Sequence, residues 1–366
     1  MKPKTFSGAS MIRCFAASAA FFLNACGTYS PLKDEPAGRL PAAPDDRGVK
    51  VTFLGNTTIL VTDGETTLLV DGFFSRPGPL RTLFGKIGPD TCVIEEELDR
   101  AGLGAPGSLD AILVGHAHHD HALDAVEVAR RTGALVMGND SYRHIHEGNG
   151  GNNDPEHLWI TPRDGTRKSI GKSGKFTVTF VPSGHVGSHR LAQRMVEGDI
   201  EKPFKMPAHF SRFKCGDVHA IHIKHDEGSL FVTTTAGVKL GSTRGLEADV
   251  VFLGVGLLGQ EPDDRQKAYW EENVTTLKPS VVVPVHWDDF SRKLSKGLRP
   301  PSLLVDDTKK SIGVVKNKAG DEIIHIMDLD DSIYLKGGKV LKGPSPRRRG
   351  SARTEEPGKT HLFDKK

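Results

Sequence analysis

Six consecutive residues constrain this chain more than any others: His116-Ala117-His118-His119-Asp120-His121. Four imidazoles and a carboxylate stand directly behind the apolar run DAILVG (110–115) and ahead of the helix-like stretch ALDAVEVARRTG (122–133). Such donors suit zinc, and they also accept manganese or ferrous iron. In an extended chain leaving a strand, His116 and His118 point to one side. A turn then redirects Asp120 and His121 towards a second point, so one loop can feed two metal sites. A surface histidine tract would sit in a polar, irregular stretch, whereas this one is framed by a buried strand and an amphipathic helix.

The rest of the body is organised around that loop. VKVTFLG (49–55), TTILVTD (57–63) and TTLLVDG (66–72) are rich in β-branched residues and separated by Gly, Asn or Asp, which predicts an antiparallel meander. Residues 110–138 then read as strand–helix–strand, ending in ALVMG. A second group of strands is predicted at 175–183, 217–223 and 229–234, followed by a second strand–helix–strand unit over 249–286. Two halves of this form imply an α/β protein with two mixed β-sheets packed face to face and helices outside. The segment between His189 and Phe213 lacks periodicity and reads as a surface insertion near the site. GVGLLG (255–260) lacks the Lys-Ser/Thr of a phosphate loop and reads as a tight turn.

The two ends differ from the body. Residues 1–25 carry Lys2, Lys4 and Arg13 without an acid, then an apolar stretch too short to span a bilayer, which takes about 20 residues. Ending in Leu23-Asn24-Ala25-Cys26, the segment resembles a bacterial lipoprotein signal that leaves Cys26 lipidated. That implies a chain anchored to a membrane of the cell envelope and facing the periplasm; the competing reading is an ordinary signal peptide and secretion to the periplasm. Residues 26–48 read as a tether, 49–337 as the folded domain and 338–366 as a basic disordered tail with nine basic residues and three acids. That tail either is solvated or contacts anionic lipid or wall polymer. With both ends set aside the body is slightly acidic, and at 7% aromatic the chain has no basic and aromatic stripe, which argues against nucleic acid as a partner. Cys92 and Cys215 remain in the body, either paired or as two buried free thiols.

HAHHDH matches the H-x-H-x-D-H signature of the metallo-β-lactamase superfamily, and the resemblance covers about residues 50 to 335. It implies a four-layer αββα fold and hydrolysis of esters, lactones, amides or phosphodiesters. By that resemblance His116, His118 and His185 (in VPSGHVGS) hold one metal, while Asp120, His121 and His286 (in VVVPVHWDDF) hold a second. Asp71 resembles the acid that supports the ligand loop from behind. The sequence departs from the family at SLFVTTTAG (229–237), where Thr235, or Thr234 with a shift of one, stands in place of an Asp that bridges both ions. The second metal is then expected to be weak or absent unless Asp288 or Asp289 substitutes. The ending HWDDF looks most like the lactonase and N-acyl-phosphatidylethanolamine phospholipase branch.

The expected reaction is metal-assisted hydrolysis of a small-molecule or lipid-like substrate, with Asp120 orienting the attacking water and taking its proton. His119, His189 and His219 are reserves for substrate contact. Two other classes compete: a mononuclear iron oxygenase, and a non-catalytic metal-binding envelope protein.

Overall fold

The computed structural model describes residues 40–45, 47–171, 174–187 and 191–344. The signal segment with Cys26, His189 and the end of the tail lie outside the described residues. The predicted meander forms as β1 (Val49–Phe53), β2 (Ile59–Thr62) and β3 (Thr67–Val70), paired antiparallel in that order. Its residues alternate strictly. Leu68 and Val70 face one apolar cluster while Leu69 faces another, because successive strand side chains point to opposite faces.

Parallel strands extend the meander: β4 (Ala111–Leu113), β5 (Leu135–Gly138) and β6 (Leu158–Ile160). On the other edge β1 pairs antiparallel with β14 (Ser332–Lys336), which pairs with β15 (Lys339–Lys342), making eight strands among the described residues. The second sheet has seven. An antiparallel part, β7 (Thr166–Ile170), β8 (Phe176–Ser183), β9 (Val218–His225) and β10 (Gly228–Val232), continues into parallel β11 (Val250–Gly254), β12 (Val281–Val285) and β13 (Ile323–Ile324). β11 and β12 are buried along their whole length, as their unbroken apolar runs VVFLG and VVVPV require of central parallel strands.

The two sheets share one apolar layer, with Val51, Phe53 and Leu113 from the first meeting Val178, Ile221 and Phe252 from the second. Helices cover the outer faces. Thr91–Arg100 is started by Asp90, whose side chain accepts from the Val93 amide, and Asp140–Gly148 by Asn139, which accepts from Tyr142. Asp263–Trp270 and Thr308–Lys318 lie against the second sheet, with Trp270 and Ile312 in the shared core. This is the αββα arrangement expected from the segment order. The helix expected over 122–133 is broken in two: a single turn, His119–Ala122, and then Ala125–Thr132, which ends on Gly133 at φ 76°. Among the described residues no helix is long and apolar enough to cross a membrane.

The expected domain limits, 49 and 337, are too narrow. Leu40 is buried, and the amides of Ala43 and Lys342 bond to Lys342 and Pro41 carbonyls, so the end of the expected tether lies alongside β15. β15 itself falls in the expected tail: Lys339 and Lys342 are basic, but Val340 and Leu341 between them are buried. The charge of that segment hid a strand.

Truncation after Gly338 removes β15 with its two buried side chains and should cost about 3–6 kcal/mol in urea unfolding. A second expectation concerns acid. Burial, then the Lys342 charge, pushes His325 down to about 4. Below the ordinary histidine range near 6.5 the unfolded chain takes up a proton that the folded chain refuses until about pH 4, so this group's contribution is lost as pH falls through that window. His325→Leu in metal-free protein should flatten the pH dependence of unfolding between those limits.

Candidate metal centre

Every feature of the centre gathers at one end of the two sheets. His116 follows β4, His185 follows β8, Thr234 follows β10 and His286 follows β12, while Asp71 follows β3 and Cys215 precedes β9. The carboxyl ends of strands are where layered α/β folds collect their sites. The His219 amide, entering β9, bonds to the Gly115 carbonyl leaving β4, so the two sheets are tied together beside the ligand loop.

The structure brings all six expected ligands together, in two groups. In the first, Nε2 of His116 lies 3.1 Å from Nδ1 of His118, and the His185 ring stands 5.1 and 4.7 Å from theirs. Each ring's other nitrogen has a partner: Thr234 Oγ1 at 3.2 Å for His116, the Val196 carbonyl at 3.2 Å for His118 and the Val186 carbonyl at 3.1 Å for His185. A protein partner on one nitrogen fixes the ring and leaves the other free to ligate. In the second group, Asp120 Oδ2 lies 3.3 Å from Nε2 of His121 and 3.2 Å from Nε2 of His286. The far nitrogen of His121, Nδ1, is 2.7 Å from Asp71 Oδ2. Imidazole and carboxylate atoms converging this way fit a pair of divalent ions.

The electrostatics of the three-histidine group agree with that use. Burial, reinforced by the neighbouring rings, holds His116 and His118 well below the ordinary histidine range, and burial pushes His185 to about 4. Three neutral imidazoles result, the form that ligates a metal. Burial opposes charge on both Asp120 and His121, but each is the other's counter-ion. With Asp71 added, His121 is pushed up to about 10, while Asp120 is held well below the carboxylate range.

Several expectations are revised. Of the two threonines, it is Thr234 that touches a ligand ring; Thr235 turns its hydroxyl to the Val186 amide at 3.2 Å. Asp288 and Asp289 cannot replace a bridging acid, because both are committed elsewhere. Asp288 Oδ2 accepts from Arg76 at 2.6 Å and its Oδ1 from the Asn56 amide at 2.7 Å, while Asp289 binds Ser291. His219 is spent on the Pro162 carbonyl at 3.0 Å. His119 stands beside the centre in a wall of Phe73, Phe213 and Phe290. Phe213 belongs to the expected surface insertion, which proves to be anchored by the buried side chains of Ile200, Phe204 and Phe213. GVGLLG is a turn, and Gly256 within it packs against the His286 ring, where a Cβ would come within 2.9 Å.

Three participants gave no sequence signal. Cys215 is buried and unpaired, its Sγ within 4.8 Å of ligand nitrogens on His116, His118 and His185, and burial pushes its thiol up; Cys92 is exposed and also unpaired. Asn56 joins the loops from below: its side chain donates to the Asp120 carbonyl and its own carbonyl accepts from the His286 amide. Arg76 is a wholly buried guanidinium whose carboxylate partner is Asp288. No spacing or composition rule points to an arginine or a cysteine in such places.

Removing one side of a buried ion pair strands the other charge. Asp288→Ala should therefore lower unfolding stability by about 3–5 kcal/mol. The double change Asp288→Ala with Arg76→Met should recover part of that loss, as read by chemical denaturation of the metal-free protein.

The metallo-beta-lactamase superfamily pattern matches residues 51–193, from β1 past His185. A UPF0173 metal-dependent hydrolase of Rubrobacter xylanophilus is 39% identical over 93 residues, which is 25% of this chain but only 31% of that protein. A similarly named protein of Lysinibacillus sphaericus is 26% identical over 244 residues, 66% of this chain and 86% of its own length. Among solved structures, the metallo-beta-lactamase fold protein YhfI from Bacillus subtilis is 15% identical, with TM-score 0.46, over 78% of this chain and 98% of that one. The matched pattern carries five of the six converging ligands, so over residues 51–193 the chain is similar to the metallo-β-lactamase superfamily, and the sheets that bring the ligands together have the αββα order.

Proposed function

We propose that this chain is a metal-dependent hydrolase acting on an ester, lactone or phosphodiester bond. The observation that carries the reading is the convergence of Asp120 Oδ2 with Nε2 of His121 and of His286, beside the three-histidine group. Zinc suits the donor set best, with manganese or ferrous iron as alternatives. A divalent ion bound there lowers the pKa of its water from about 15.7 to about 7 and polarises the oxygen of the scissile bond.

The chain's own residues do the rest. Asp120, anionic and beside Nε2 of both His121 and His286, orients the attacking water and accepts its proton. Asp71 keeps His121 in the orientation that turns Nε2 inward, and Thr234 does the same for His116. Phe290, half-buried against the rings of His119 and His286, offers the substrate an apolar flank, while the wholly buried Phe73 and Phe213 pack against His119 within the core. Such a flank suits an acyl or other lipid-like group. Placement at the cell envelope through Cys26 fits a substrate of that kind and rests on residues 23–26 alone.

Metal analysis of the purified chain followed by an ester, lactone and phosphodiester screen tests the reading. His116→Ala should lose metal and activity together, and Asp120→Asn should lower kcat by about 10²- to 10⁴-fold. Equal activity in His116→Ala would remove the assignment. About one iron per chain with oxygen uptake would replace hydrolysis by oxygen chemistry.

A further inference from the structure

Cys215 stands among the three histidines of the first group as a fourth donor, in a centre where Asp120 is the one carboxylate among the converging groups of the described residues. Its Sγ lies within 4.8 Å of a nitrogen on each of His116, His118 and His185, while those nitrogens are equally close to one another. Around one zinc, with Zn–N of about 2.0 Å and Zn–S of about 2.3 Å, tetrahedral donors are roughly 3.3–3.6 Å apart. The 3.1 Å between His116 Nε2 and His118 Nδ1 is already close to that spacing, so closing the rest of the group takes shifts of about an ångström.

The backbone holds Cys215 for this position. Its carbonyl accepts from the amide of Ala117, the residue between the two ligand histidines, at 2.9 Å. Its amide donates at 2.8 Å to the Val196 carbonyl, the same oxygen that accepts from His118 Nε2. Asn139 Nδ2 reaches the Cys215 carbonyl from the far side at 3.2 Å. The cysteine is thus locked to the ligand loop on two sides.

We propose that Cys215 is a fourth protein ligand, so that His116, His118, His185 and Cys215 form a closed site while Asp120, His121 and His286 form the site with an open position. This rests on the metal-centre reading above and inverts its usual emphasis. Four protein ligands leave a tetrahedral ion no place for water, whereas three leave one. The thiol proton goes to solvent as the ion binds, and the thiolate supplies a negative charge to a group otherwise made of neutral imidazoles. The reacting water then belongs to the second group, beside Asp120.

Cobalt substitution of the full-length protein tests this without reference to turnover. The Co²⁺ protein should show a near-ultraviolet thiolate-to-cobalt charge-transfer band together with visible d–d bands. Cys215→Ser should lose the charge-transfer band and keep the d–d bands, which also shows that the variant is folded and loaded. Cys92→Ser should keep both. Visible d–d bands without a charge-transfer band in the unmodified chain, or a band that survives Cys215→Ser, would overturn the assignment and leave the metal centre standing. Absence of d–d bands from the unmodified chain would overturn both. Alkylation gives an independent check: iodoacetamide should reach Cys215 in the unfolded metal-free chain and be excluded by metal, while exposed Cys92 reacts either way.

Discussion

The ligand loop has a defined shape because a buried carboxylate at the end of β3 fastens it from behind. Asp71 Oδ1 accepts from the Gly115 amide at 3.0 Å, and Oδ2 accepts from Thr57 and lies against His121. Wholly buried, that carboxylate is met by protein donors on both oxygens, so each of them is held in place. A backbone amide, a hydroxyl and an imidazole from three different segments are thereby fixed about one point. The positions of His116 and His118 follow from Gly115, and those of Asp120 and His286 from Asn56, the neighbour of Thr57.

The sheets explain why these segments meet at all. In each sheet an antiparallel part passes into a parallel part, and in both the parallel strands deliver their carboxyl ends to the same side. β4 and β12 lie in different sheets, yet His116 and His286 emerge close enough to share the Asp120 loop. The apolar layer between the sheets, with Leu113, Phe252 and Val283 in it, sets the separation of those strand ends.

Much of this was legible in the residues. The histidine cluster, the strands ahead of it and the runs leading to His185 and His286 all lie in local patterns, where an apolar period of two or an unbroken run reports burial directly. What was not legible depends on contacts between distant segments. Cys215 reaches the ligands only because Ala117 and Val196 hold its backbone, and 98 residues of sequence separate it from Ala117. Arg76 looks like a surface residue until Asp288 is placed beside it. β15 was hidden by the lysines at either end of it, since charge at strand ends says nothing about the two residues between. The choice between Thr234 and Thr235 turned on a single residue of register, which sequence does not fix.

Two residues of the centre, Asp71 and His286, hold φ of 57° and 58°, a left-handed conformation that costs a residue with a Cβ about 1 kcal/mol or more. Glycine would relieve that cost at both positions, and at both it would delete the group that holds a metal or its ligand. At His286, selection for thermal stability in metal-free conditions pulls towards glycine and selection for a loaded centre pulls back, whereas at Asp71 the lost contacts to Gly115, Thr57 and His121 outweigh the backbone relief. The centre is a place where the chain gives up robustness to keep its chemistry, so a library sorted by melting temperature alone would erode the site from its backbone inwards.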